Sequence, residues 1–159
     1  MLNPDTDEVI RAIALYLREH LNSKAEEYYT AEELPILVVV RSVADHQTDL
    51  KTATDFPALM VYRTSFSGEL AEECSANIDY FLPISVKTRT QQSARFNWVA
   101  RQIAIALAEY TDTGDRCVEI QGNGGYSATT RFAEVQGNGG FITIPFLRGT
   151  FTFTDLEPV

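Results

Sequence analysis

Apolar positions recur along this chain with two periods, one helical and one alternating. Ile10, Ile13, Ala14, Leu17 and Leu21 form a single stripe on a 3.6-residue period, with Arg11, Arg18 and Glu19 off it. Asp5 and Glu8 stand three apart ahead of the stripe, the spacing of a cap and its reciprocal partner. The stripe predicts a first helix ending near Leu21-Asn22-Ser23. An acidic linker follows from Lys24 to Leu34, with room for a further turn of helix, and Pro35 closes it. A second stripe, Phe96, Val99, Ala100, Ile103 and Leu107, predicts a helix over about Gln91 to Tyr110. Trp98 and Ile105 fall off this stripe, which implies a second covered surface on that helix.

Between and after the helices the pattern reads as strand. Ile36 to Val40 is short, β-branched and bounded by Pro35. The polar stretch from Asp45 to Asp55 is a loop. Phe56 to Arg63 is apolar on both alternating sets, as in a strand covered on both faces. Ser67-Gly68-Glu69 opens an acidic turn that carries Glu72, Glu73 and Cys74. From about Asn77 to Thr90, Ile78, Tyr80, Leu82, Ile84 and Val86 alternate with Asp79, Ser85, Lys87 and Arg89. Pro83 cannot donate to a ladder, so this strand is expected at an edge or bulged.

The last quarter contains an echo: Gln121-Gly122-Asn123-Gly124-Gly125 returns 15 residues later as Gln136-Gly137-Asn138-Gly139-Gly140. Asn-Gly supplies the positive φ of tight hairpin turns, so a strand from Tyr126 to Val135 is expected between two turns. The final strand starts near Phe141 and is expected to break at Gly149, with Ile142, Ile144 and Phe146 sharing a face before it and Phe151 and Phe153 after it. The fold class is therefore α+β: a mainly antiparallel sheet with two amphipathic helices packed on it and a C-terminal β-meander, in one domain over residues 1–159.

Charge narrows the function. With 22 acidic and 13 basic residues the net charge is −9, which argues against a nucleic-acid grip. Purely apolar runs such as Ile36 to Val40 are far short of a membrane span, so no membrane partner is expected. No basic-then-apolar segment opens the chain, so no signal peptide is expected. Cys74 and Cys117 are too few for a disulfide framework and are expected as thiols in a reducing compartment.

Motifs for chemistry are weak. Neither Gly-Asn-Gly-Gly copy has the Lys and Ser/Thr of a phosphate loop, and Gly122-x-Gly124-x-x-Ser127 leads into a strand. His20 and His46 have no His or Cys at ligand spacing and read as solvated, so neither a metal nor a cofactor is expected. Gly125-Tyr126-Ser127-Ala128-Thr129 lacks the second Gly of a nucleophile elbow. Acidic pairs fall in linkers and turns, where charges usually form a solvated face. No catalytic residue is assigned and an enzyme is not expected. Phe141, Phe146, Phe151 and Phe153 lack the basic groove of a base-stacking platform and read as sheet core or subunit interface.

The order of elements, with Phe56-Pro57-Ala58-Leu59-Met60-Val61-Tyr62-Arg63, Pro83-Ile84-Ser85-Val86-Lys87-Thr88, an Ala-rich helix and the closing Ile144-Pro145-Phe146-Leu147-Arg148-Gly149-Thr150-Phe151-Thr152-Phe153-Thr154, resembles the tail terminator (tail completion) proteins of tailed bacteriophages. The Gly-Asn-Gly-Gly meander departs from that family's pattern. The resemblance implies a structural virion protein, assembled in the bacterial host cytoplasm and placed at the tail–neck junction. It implies a homohexameric ring that caps the tail tube, ends tail polymerisation and joins the tail to the head–neck connector. Implied partners are further copies of the chain, the tail tube protein, the connector protein and, in contractile systems, the sheath protein. DNA would pass through the lumen without specific binding. A cap of a contractile injection system, another neck or tube component, and a small ligand-binding domain or enzyme are the alternatives.

Loops on a rigid sheet are the expected carriers of these contacts. The candidate interface residues are Asp45, His46, Asp49, Glu69, Glu72, Asn123, Gly124, Asn138 and Gly139. Acids among Glu26, Glu27, Glu69, Glu72, Glu73, Glu119 and Glu134 are expected to line the lumen, where like charge lets DNA slide.

Overall fold

A computed structural model of the chain describes residues 7–32, 42–44, 57–64, 71–82, 88–110, 117–120, 126–137 and 139–156. The elements run α1 (Glu8–Glu32), β1 (Ser42–Ala44), β2 (Ala58–Arg63), β3 (Ala71–Phe81), α2 (Arg89–Glu109), β4 (Cys117–Ile120), β5 (Ser127–Gly137) and β6 (Gly140–Leu156). Six strands form one sheet in the order β1-β2-β3-β6-β4, and β5 pairs with β6 beside β4. Only β1 and β2 are parallel; every other pair is antiparallel. The fold is α+β, as the pattern predicts.

α1 is capped by Asp7, whose carboxylate accepts from the Ile10 amide at 3.3 Å, rather than by Asp5, which lies outside the described residues. Its stripe of Ile10, Ile13, Ala14, Leu17 and Leu21 is buried and continues to Ala25. The helix therefore runs through the expected stop at Asn22-Ser23 and takes in most of the acidic linker. Lys24, Ala25, Glu26 and Glu27 are good helix formers, and no Gly or Pro intervenes. α2 starts at Arg89, with Thr88 as its cap accepting from the Gln91 amide at 3.3 Å. Arg89 and Thr90 thus belong to the helix and not to the preceding strand.

β3 begins six residues earlier than expected, at Ala71, and ends at Phe81, two residues before Pro83. It is a central strand between β2 and β6, not an edge. Glu72, Glu73 and Cys74, expected in a turn, lie on it because β6 offers a pairing partner as far as Leu156. Pairing of this kind outweighs the low strand propensity of Glu. The expected strand over 36–40 and the loop over 45–55 lie outside the described residues.

Both helices cover one face of the sheet. Leu59 and Val61 of β2, Ala76, Ile78 and Tyr80 of β3, and Leu147, Phe151 and Phe153 of β6 join the helical stripes in one buried cluster. Ala58, Met60, Tyr62, Phe81, Ile144 and Phe146 form a second cluster on the opposite face. β2 is buried on both faces, as its two apolar sets predict.

β6 is continuous through Gly149, so the expected break does not occur. Alternation alone puts Phe146 on one face and Phe151 and Phe153 on the other. Gly149 instead makes room for Tyr126, whose ring occupies the space that a Cβ would need. The meander is present as the β5–β6 hairpin, with Gly137 opposite Gly140 and φ +90° at Gly139. The first Gly-Asn-Gly-Gly copy does not join a hairpin. β4 and β5 both lie on the same edge of β6, and residues 121–126 intervene while β6 advances only across Phe151 and Thr152.

Candidate functional site

The hairpin positions the most exposed apolar groups of the described chain. β3 pairs with β6 only as far as Phe146, opposite Phe81. Beyond that rung, residues 140–145 of β6 pair with residues 132–137 of β5 and nothing else among the described strands. Six rungs extend the pair by about 20 Å at 3.4 Å per residue. A two-stranded ribbon is marginal by itself in water, so this arm needs support. One face has it: Ile144 is buried, and Ala133 and Ile142 pack against the second cluster. The other face continues the helix-covered side of the sheet past the helices. On it Phe132 is 70% exposed and Phe141 75% exposed, with Glu134 and Thr143 exposed between them.

A polar network locks the sheet just behind the arm. Arg148 on β6 donates from Nε and Nη2 to the two carboxylate oxygens of Asp79 on β3, both at 2.8 Å. The Tyr62 hydroxyl donates to the same carboxylate at 3.1 Å and accepts from Asn77 Nδ2 at 3.2 Å. Asp79 is only 1% exposed, so this pair lives in low dielectric and is bidentate. Arg148 also lies 5.2 Å from the centre of the Phe146 ring. Burial and the Asp79 charge together push the Tyr62 phenol up, despite the Asn77 bond and the Arg148 charge. The network ties β2, β3 and β6 together, and both Asp79 oxygens are taken by donors.

A second ion pair fastens the start of α1 to β2. Arg63 donates from Nε and Nη2 to Asp7 and from Nη1 to the Cys74 sulfur at 3.1 Å. Burial alone would raise the Asp7 carboxyl, but the hydrogen bond and charge of Arg63, with the Ile10 and Val9 amides, hold it below the ordinary aspartate range. Cys74 is a buried thiol and not half of a disulfide. His20, expected to be solvated, is half-buried and hydrogen-bonded through Nε2 to Gln102 Oε1 at 3.0 Å, which joins α1 to α2. Burial drives the phenols of Tyr80 and Tyr126 far up, and neither hydroxyl has a hydrogen-bond partner among the described residues.

Of the candidate interface residues, Gly139 sits at the exposed tip of the arm. Glu72 is not in a loop: it lies on β3, opposite Asp155. Asp45, His46, Asp49, Glu69, Asn123, Gly124 and Asn138 lie outside the described residues. The arm face itself, Phe132 above all, goes unnoticed in a search for chemistry. Its signal in the sequence is an alternating strand, Thr130 to Glu134, with a large apolar residue among polar neighbours. Among the described residues no three His, Cys, Asp or Glu side chains converge as a metal site, and no helix is long and apolar enough to cross a membrane. No family model matches the chain, and no curated protein matches it either.

Proposed function

We propose that this chain is a structural ring subunit at the tail–neck junction of a tailed phage or of a related contractile injection machine. In that role a homohexamer caps the tube, ends its growth and presents a surface to the connector, with the sheath as a further neighbour in contractile systems. The reading rests on the resemblance of the element order to tail terminator proteins. The observation that carries it is the architecture in that order: a helix and three strands, then a helix and three strands, in one mixed sheet with both helices on one face.

Two further features support the reading. The arm offers an apolar face of the kind that an assembly covers. At the opposite end of the sheet, register sets Glu72 across from Asp155, with Glu73 and Glu119 on either side of Thr154. Acidic positions brought together along the strands suit a passage through which DNA slides, because like charge repels phosphates.

The test is assembly without the chain. Particles built in its absence should carry tails of irregular, extended length that do not join heads, and adding the purified chain should restore both length and joining. Tails of normal length that join heads at the normal rate would overturn the proposal. An injection machine with overlong tubes and no genome would select that branch of it.

A further inference from the structure

We propose that the β5–β6 arm is a docking element for a second copy of this chain, with its Phe132–Phe141 face laid on the outer face of the neighbour's α2. The inference deepens the ring reading by naming the surfaces that would join its subunits.

Three observations carry it. First, the arm is finished on one side only. Ile144 and Ile142 seat it on the second cluster, while Phe132 and Phe141 stand 70% and 75% exposed on the other face. Exposed aromatics at this level on a rigid ribbon are the usual anchors of an interface.

Second, the chain carries a complementary surface. On α2, Ala94, Asn97, Arg101, Ile105 and Ala108 recur at helical spacing, and all five are exposed. Ile105 is 40% exposed, and the Ala side chains beside it let another backbone approach closely.

Third, the charges match. Glu134 is exposed two rungs, about 7 Å, along the arm from each Phe-bearing rung. Arg101 is exposed in the middle of the α2 stripe, about 6 Å along the axis from Ile105. Neither makes an ion pair within the chain among the described residues. Glu134 over Arg101 sets one Phe on Ile105 and the other towards Ala94. The arm and the α2 face are different surfaces, so the contact is heterologous and propagates head to tail. Such a contact closes into a ring when its rotation permits and otherwise forms a filament. Glu134 is then committed to the subunit contact and leaves the set of lumen acids.

Charge reversal tests this on the full chain by sedimentation velocity across a concentration series. Wild type should self-associate, Glu134→Arg should weaken association by about tenfold or more, and Arg101→Glu should do the same, since like charges would then face each other. The double variant Glu134→Arg/Arg101→Glu should recover most of the loss. Both positions are exposed, so at concentrations where every variant is monomeric all should share the wild-type thermal midpoint. Wild type that stays monomeric throughout the series, single variants that associate normally, or a double variant that fails to recover would each overturn the arm contact. Rings that persist in Glu134→Arg would overturn the arm while leaving the ring reading intact. Open filaments that respond to the charge swap would support the arm and count against the ring.

Discussion

Phe141, Phe151 and Phe153 lie on the same strand and on the same face of the sheet, yet their environments are opposite. Phe151 and Phe153 are 1% and 0% exposed under the two helices, whereas Phe141 is 75% exposed on the arm. The strand geometry is the same in both halves of β6. What differs is the layer above it and the neighbour beside it. From Phe146 to Leu156, β6 has β3 on one edge and, for most of its length, β5 or β4 on the other. From Gly140 to Pro145 it has β5 alone among the described strands. Burial of an aromatic is therefore a property of tertiary cover rather than of the local pattern, and the arm half of β6 is the part that the proposed second copy would cover.

The comparison breaks most visibly in the body half. Phe153→Ala should cost about 3–5 kcal/mol, because it removes a fully buried ring and leaves a cavity among packed neighbours. Phe141→Ala should stay within about 0.5 kcal/mol of wild type in the isolated chain. Denaturant unfolding measures both, and equal losses would contradict the contrast.

Arg148→Met comes next, at about 3 kcal/mol, because it leaves the Asp79 carboxylate buried with only Tyr62 as a donor. Unfolding at neutral pH checks it, and a loss under about 0.5 kcal/mol would contradict the role of the pair. Gly149→Ala should cost about 1–3 kcal/mol by forcing the Tyr126 ring out of its seat. Near-ultraviolet circular dichroism should report that displacement.

A smaller loss than from these core changes is expected at the α1 cap. Arg63 holds the Asp7 carboxyl below its unfolded value, so the ion pair contributes stability above that value and loses it as pH falls through the folded one. Asp7→Asn keeps a capping side chain and removes the charge, at a cost of about 0.5–1 kcal/mol at pH 7. The difference from wild type should shrink as pH falls through the lowered Asp7 value. A difference that is constant from pH 7 to pH 2.5 would show that the charge has no part in it.

Much of this architecture is legible along the chain. Both helical stripes are where the periodicity puts them, and β2 is two-sided because both of its alternating sets are apolar. Gly139 takes the positive φ that the Asn-Gly reading requires, at the tip of the β5–β6 hairpin. The start of α2 was also written in the sequence: Thr88-x-x-Gln91 is a capping-box spacing, yet the alternation through Val86 and Arg89 reads more easily as one long strand. Three features were not legible. α1 runs past Asn22-Ser23 because neither residue breaks a helix when the flanking segments favour it. β4 and β5 share one edge of β6 because strand pairing is non-local, and identical Gly-Asn-Gly-Gly motifs can serve different connections. The exposed arm follows from where β3 stops and where the helices end, which no local pattern around Phe132 or Phe141 records. For the same reason the local pattern points to acidic and glycine loops rather than to a strand face.

Hydrogen exchange of β6, read amide by amide, compares its two halves directly. In the monomeric chain, amides within 146–153 should be strongly protected and those within 140–145 weakly. On assembly the protection of 140–145 should rise, with that of the exposed α2 stripe unaffected in its helical amides but its flanking solvent labelling reduced, while 146–153 stays unchanged. Equal protection of both halves in the monomer, or an arm that exchanges as fast in the assembly as in the free chain, would contradict the claim that this half of the strand is completed by a second copy.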